Sequence, residues 1–169
     1  MLIDTTLSSN LATANTIDGF AFASESTPIV TSNTATDNTE AGFSWLDTAA
    51  GTARGNTASG NVIAGFYMGS SAAPTLTDNT SENNPGTGFL WTNQATGIAE
   101  GNEAIGNTLN GFEVQGTAGP SLIDNTSNDN LGIGFGWFQK SVGSASGNSA
   151  SGNEGNASFV APSATPELG

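Results

Sequence analysis

The chain has no cysteine and no histidine, and only two basic residues, Arg54 and Lys140, among its 169. These absences exclude a disulfide framework and a Cys/His zinc centre, and they leave the redox compartment unmarked. Two cations against 15 acidic side chains give a formal net charge of −13, which repels phosphate backbones and anionic lipid headgroups alike. No nucleic-acid partner and no membrane insertion are therefore expected. No hydrophobic run is long enough for a bilayer span, and the opening MLIDTTLSSN has neither the basic segment nor the apolar stretch of a signal peptide. At 36% hydrophobic residues, the core of an ordinary two-layer domain would be poorly supplied.

What the sequence does have is a period. Asn stands at positions 10, 33, 56, 79, 102, 125 and 148, and again at 15, 38, 61, 84, 107, 130 and 153, each step being 23 residues. A Gly-Phe pair keeps the same step at Gly19-Phe20, Gly42-Phe43, Gly65-Phe66, Gly88-Phe89, Gly111-Phe112 and Gly134-Phe135. Trp45, Trp91 and Trp137 recur every 46 residues, as do Pro28, Pro74 and Pro120, so the repeating unit is a pair of alternating coils. A fixed period in this range marks a solenoid.

Within a coil, apolar and polar residues alternate with period two, which predicts strands. Leu76, Ser81, Phe89 and Trp91 fall on the inward phase, and Thr75, Thr77, Thr80 and Leu90 on the outward one. Three strands of about four to six residues, joined by tight corners, bring the chain back one strand spacing higher; seven coils at about 4.8 Å make a rod of roughly 34 Å. Inward positions become columns: Leu7, Val30, Ala53, Leu76, Ala99, Leu122 and Ala145 in one; Ala12, Ala35, Ala58, Ser81, Ala104, Ser127 and Ala150 in a second. The Phe series forms a third, and Phe22, Trp45, Met68, Trp91, Val114 and Trp137 a fourth that alternates large with smaller side chains. An inward Asn at a corner can pair its amide with those above and below, so the two Asn series read as ladders. The same commitment predicts that the sequons at Asn79 and Asn125 stay unmodified.

The expected fold is thus an all-β, single-stranded parallel β-helix of about seven 23-residue coils, with a repeat domain over 1–160 and a Pro-containing tail over 161–169. The Asn ladders, the coil length and the Gly-aromatic strand resemble right-handed parallel β-helix repeat proteins of the pectate-lyase-like superfamily, over roughly residues 5 to 160. That resemblance implies right-handedness. It does not choose a function, because the superfamily includes lyases, hydrolases, tailspikes, adhesins and non-catalytic modules.

The resemblance also implies what a lyase would need, namely calcium-binding Asp residues beside a basic catalytic residue on one outer face. Arg54 and Lys140 sit at different phases of the repeat, nearly four coils apart, and read as surface charges. Asp78, Glu100 and Asp124 lie in neighbouring coils near one edge, where two carboxylates could serve glycoside hydrolysis or a weak Ca²⁺ site. Asp78 and Asp124 alternate with Gly55, Gly101 and Gly147 just before the ladder Asn, which favours a plain corner role in the left-handed backbone region. No catalytic residue, cofactor or metal ligand is assigned.

Outward Thr34, Thr57, Thr80 and Thr126 form a column interrupted by Glu103, and are the candidates for surface binding of ice. Its neighbour column, Thr36, Ser59, Glu82, Ile105 and Asn128, is irregular. For a polysaccharide, the outward aromatic candidates are Tyr67 and Phe138. The expected function is a non-catalytic structural or adhesive module, extracellular or at the cell surface. Its expected partner is itself, by end-to-end stacking into filaments, or neighbouring repeats of a longer chain. Ice or polysaccharide binding is the alternative.

Overall fold

In the computed structural model, which describes residues 5–169, the chain winds as a solenoid of parallel strands; residues 1–4 of the expected repeat domain lie outside the described residues. Three sheets run along its length. The first has eight strands, from Thr6–Ser8 to Glu167–Leu168; the second has seven, from Leu11–Thr13 to Ser149–Ser151; the third has seven, from Phe20–Phe22 to Ser158–Val160. Every strand pairs in parallel with the equivalent strand one coil on, as in Leu76 opposite Ala99, Ser81 opposite Ala104 and Phe89 opposite Phe112.

The strands are shorter than the period-two pattern suggested. Those of the first and second sheets have three residues, apart from the two-residue Glu167–Leu168, and those of the third have three to five. The corners take the rest. Between the first and second sheets the turn is one residue at positive φ followed by the ladder Asn, and the positive-φ position reads Ser9, Ser32, Gly55, Asp78, Gly101, Asp124 and Gly147. Asp78 (φ 53°) and Asp124 (φ 51°) are therefore corner residues, and each lies over the glycine of the following coil: a Cβ on Gly147 would come 1.8 Å from Asp124 Oδ1. Gly thus serves both backbone conformation and space at this corner.

The inward columns form one continuous core. Val30, Ala53, Leu76, Ala99 and Leu122 are buried, as are Phe43, Phe66, Phe89, Phe112 and Phe135. The Phe rings stack with centroids 4.7 to 5.0 Å apart and planes within 15° of one another, because strand spacing fixes their separation. In the fourth column each indole lies between smaller partners, Trp91 facing Met68 and Val114. The buried indole N–H groups of Trp45, Trp91 and Trp137 have no hydrogen-bond partner among the described residues.

The 46-residue alternation has a second physical basis. Pro28, Pro74 and Pro120 share a column with Gly51, Gly97 and Gly143, whose φ values are 90°, 99° and 102°. A Cβ on any of these glycines would lie 2.2 to 2.3 Å from the carbonyl oxygen of the proline one coil below. Only glycine fits between prolines there. Pro166 falls at the next step of the same column, and the segment expected as a tail, 161–169, continues the winding. Ala164 is buried, Thr165 N–H donates to Ser141 O, and Glu167–Leu168 pairs with Ser144–Ala145.

The Gly of each Gly-Phe pair has its own cause. On Gly88 a Cβ would sit 2.6 Å from Gly111 O, 3.0 Å from Ala104 Cβ and 3.0 Å from Asn107 Nδ2, and the first of these is backbone that cannot swing aside. Gly88→Ala is expected to cost about 1–3 kcal/mol by overpacking. A urea melt of this variant checks it, and an unchanged midpoint would mean that the third-sheet strand can shift outward freely.

Candidate functional site

The ladders account for most of the buried polar groups. Asn79 is typical: its Oδ1 accepts from the backbone N–H and the Nδ2 of Asn56 at 3.0 and 2.9 Å, while its own N–H and Nδ2 both donate to Asn102 Oδ1 at 2.9 Å. Nδ2 also donates to Ala53 O at 3.0 Å, which satisfies a carbonyl at the corner. The second ladder repeats this pattern, with Asn84 Oδ1 accepting from Asn61 and Asn84 donating to Asn107. Ser81 and Ser127, in the Ala column, donate to Gly88 O and Gly134 O and accept from Asn84 and Asn130. Asn79 and Asn125 are buried, so these two sequons are held inside the ladder.

Every Asn-to-Asn bond in a ladder points the same way. Each Asn donates to the Asn of the following coil and accepts from the Asn of the preceding one, while its Nδ2 also reaches back to a carbonyl of the preceding coil, so the two ends of the described stack differ. At the last full coil, the backbone N–H groups of Asn148 and Asn153 have no acceptor among the described residues, although their Oδ1 atoms accept from Asn125 and Asn130. At the first, Asn10 and Asn15 donate to Asn33 and Asn38, and their own Oδ1 atoms have no donor among the described residues. The core is open at the last coil, where a cavity of about 270 Å³ is lined by Phe135, Trp137, Ala145, Ala150 and Leu168 among others.

The residues named as surface candidates have different surroundings. Thr34, Thr57, Thr80 and Thr126 occupy one register column on the outer face of the second sheet, with Glu103 between Thr80 and Thr126. Leu11 and Ser149 extend that column at its two ends. Arg54 forms an ion pair with Asp78 at 3.2 Å, with both side chains more than half exposed, which contributes little to stability. Among the described residues no group of three or more His, Cys, Asp or Glu side chains could hold a metal ion, so Asp78, Glu100 and Asp124 are not brought together as such a site.

The outer face of the third sheet holds more polar structure than the sequence revealed. Its register column reads Ala21, Ser44, Tyr67, Leu90, Glu113, Gly136 and Phe159. Ser44 is fully buried and donates to Asp18 Oδ2 at 2.6 Å, and Asp18 Oδ1 accepts from Ala41 N–H at 2.9 Å. Glu113, only 9% exposed, accepts from Thr87 Oγ1 at 3.1 Å, from Asn110 Nδ2 at 2.8 Å and from Gln115 Nε2. These donors replace the water that burial removes from the carboxylate. Tyr67 bonds Thr92 Oγ1 at 3.0 Å and, with Asp18, Glu40, Ala41, Leu46 and Ile63, lines a cavity of about 230 Å³. The second outward aromatic, Phe138, packs against Phe159 with centroids 5.4 Å apart. The spacing Asn110-x-x-Glu113-x-Gln115 was the available signal for the buried carboxylate.

Among the described residues no helix is long and apolar enough to cross a membrane. Residues 64–167 match the family model described as right handed beta helix region, and residues 3–99 match that of NosD, described as a periplasmic copper-binding protein. No curated protein matches the chain. The copper in the second description finds no fitting ligands here. There is no His or Cys, and among the described residues the one thioether, that of Met68, is fully buried in the core, so the soft and imidazole donors that copper prefers are not available there. The parallel coils, the Asn ladders and two matches that each span more than half of the residues lead to one conclusion: the chain belongs to the right-handed beta helix family, and its N-terminal coils to the NosD family.

Proposed function

We propose that this solenoid is a non-catalytic structural and adhesive module, extracellular or periplasmic, whose coils associate end to end with further coils of the same kind. The polarity of the ladders carries this reading. One end of the described stack presents the N–H groups of Asn148 and Asn153, and the other presents the Oδ1 atoms of Asn10 and Asn15. A coil added in register joins donors to acceptors and covers the open core; a longer chain supplies it directly, and a second copy supplies it when Glu167–Leu168 yields its first-sheet place to that copy's Thr6–Ser8. Such a contact is heterologous and does not close, so copies joined this way form filaments. The net charge of −13 keeps the sides of neighbouring rods apart, while the inward positions at the two ends, Leu7, Ala12 and Phe20 at one and Ala150, Val160 and Leu168 at the other, carry no charge and are free to meet.

The absence of catalysis is part of the proposal. It rests on the pairing of Arg54 with Asp78, on the corner role of Asp78 and Asp124, and on the full engagement of Glu113 by its three donors. Ice binding by Thr34, Thr57, Thr80 and Thr126 is less well supported, since Glu82, Glu103 and Ile105 interrupt both Thr columns.

Negative-stain electron microscopy over a range of concentrations tests the assembly. Uniform filaments of single-solenoid width, lengthening with concentration, are expected. Particles one solenoid long at every concentration would contradict self-association, and thermal hysteresis or glycan binding would then become the assays to run.

A further inference from the structure

The cavity on the outer face of the third sheet combines two kinds of surface. Ala41, Leu46, Ile63 and the Tyr67 ring give it apolar walls, and Asp18 and Glu40 add two carboxylates. Neither carboxylate has a cationic partner among the described residues: Arg54 is committed to Asp78, and that ion pair is the only one found there. Asp18 accepts two hydrogen bonds, from Ser44 and Ala41, which leaves acceptor capacity on both oxygens. The Tyr67 hydroxyl is tied to Thr92, so the ring is held in place. Methylene groups suit the aliphatic walls, and a positive charge suits the carboxylates and the face of an aromatic ring. An uncharged sugar could donate hydroxyls to the carboxylates but would leave their two negative charges uncompensated. A phosphate or carboxylate would meet two like charges within a chain of net charge −13.

Beyond the scaffold role, we propose that this cavity binds an alkylammonium or alkylguanidinium group, its carbon chain against Leu46, Ile63 and Tyr67 and its charge at Asp18 and Glu40. The volume of about 230 Å³ admits a single extended side chain or a short diamine. Two sources carry this chemistry, a free polyamine and the Lys or Arg side chain of a partner polypeptide.

Isothermal titration calorimetry with 1,5-diaminopentane, 1,5-pentanediol and a blocked lysine tripeptide tests the site. Saturable 1:1 binding of the diamine or the tripeptide is expected, with no heat from the diol. The exposed Glu40→Gln and the cavity-wall change Tyr67→Leu should each weaken binding by about tenfold, while the remote control Glu154→Gln leaves it unchanged. Tighter binding of the diamine would identify a free polyamine as the source, and tighter binding of the tripeptide a polypeptide; either order supports the site. Non-saturating heats, or equal weakening by all three substitutions, would show diffuse attraction to an acidic chain and overturn the proposal. Binding of the diol or of a neutral oligosaccharide as tightly as the diamine would overturn it as well.

Discussion

Replacing Asn79 and Asn102 together by alanine is expected to lower the melting temperature by roughly 10–20 °C. The double change removes the acceptor of the backbone N–H groups of residues 56 and 79, and the donors to the carbonyls of Ala53 and Leu76. The asparagines are buried, with 1% exposure at Asn56, Asn79 and Asn102, so water cannot take over these bonds without opening the coil. Each orphaned group costs about 1–3 kcal/mol, and four of them cost about 5 kcal/mol or more. The two sites share a bond, Asn79 to Asn102, so the double variant should lose less than the sum of the single variants. Circular dichroism melts of both singles and the double measure this coupling. A melting curve like that of the parent would mean that the ladder contributes nothing net to stability.

Phe89→Ala is expected to cost about 3–5 kcal/mol, the range for emptying a buried aromatic position. Phe89 is fully buried and stacks at 4.7 Å on both Phe66 and Phe112, with Trp91 at 6.4 Å, so its loss removes two ring contacts and leaves a gap in a column whose spacing the backbone fixes. A globular core could relax into such a gap, whereas a coil held by strands above and below can do so only by bending the rod. Near-ultraviolet circular dichroism should lose intensity at the Trp91 band along with the stability. Phe89→Leu, which keeps most of the volume, should recover about half of it. A Leu variant as unstable as the Ala variant would show that ring stacking outweighs filled volume.

The inward half of this structure was legible because a solenoid writes the same instruction seven times. The Asn, Phe and Ala columns each repeat at 23 residues, so the signal from one coil is confirmed by the next, and the structure places those columns where the period put them. Strand length was less legible. Period two says which residues alternate, but the stop of a strand depends on the positive φ of one corner residue, and Ser32, Asp78 and Gly101 all supply that conformation. Segment 161–169 reads as an end because of Pro162 and Pro166, yet Pro166 is one more step in the 46-residue proline column, and Glu167–Leu168 joins the first sheet.

The outer face was the least legible part. Asp18 with Ser44, and Glu113 with Thr87, Asn110 and Gln115, are arrangements that occur once each, so no periodicity announces them. The Asp18–Ser44 and Thr87–Glu113 bonds join consecutive coils across a distance that no local pattern encodes, whereas Asn110 and Gln115 stand three and two residues from Glu113 and were the local signal. Tyr67 was noticed as an outward aromatic, but its neighbours Asp18, Glu40 and Leu46 lie in preceding coils, Asp18 before the strand Phe20–Phe22 and Glu40 and Leu46 on either side of Ala41–Trp45.

Amide hydrogen exchange, read residue by residue at low and at high protein concentration, tests the end-to-end account most directly. At low concentration the N–H groups of Asn56, Asn79 and Asn102, bonded inside the ladder, should exchange slowly, and those of Asn148 and Asn153 fast. At high concentration Asn148 and Asn153 should become protected as the Oδ1 atoms of Asn10 and Asn15 in another copy accept from them, with Glu167–Leu168 yielding its first-sheet place to that copy's Thr6–Ser8. If their exchange stays fast at every concentration while the inner ladder stays protected, the fold stands and the proposed assembly does not.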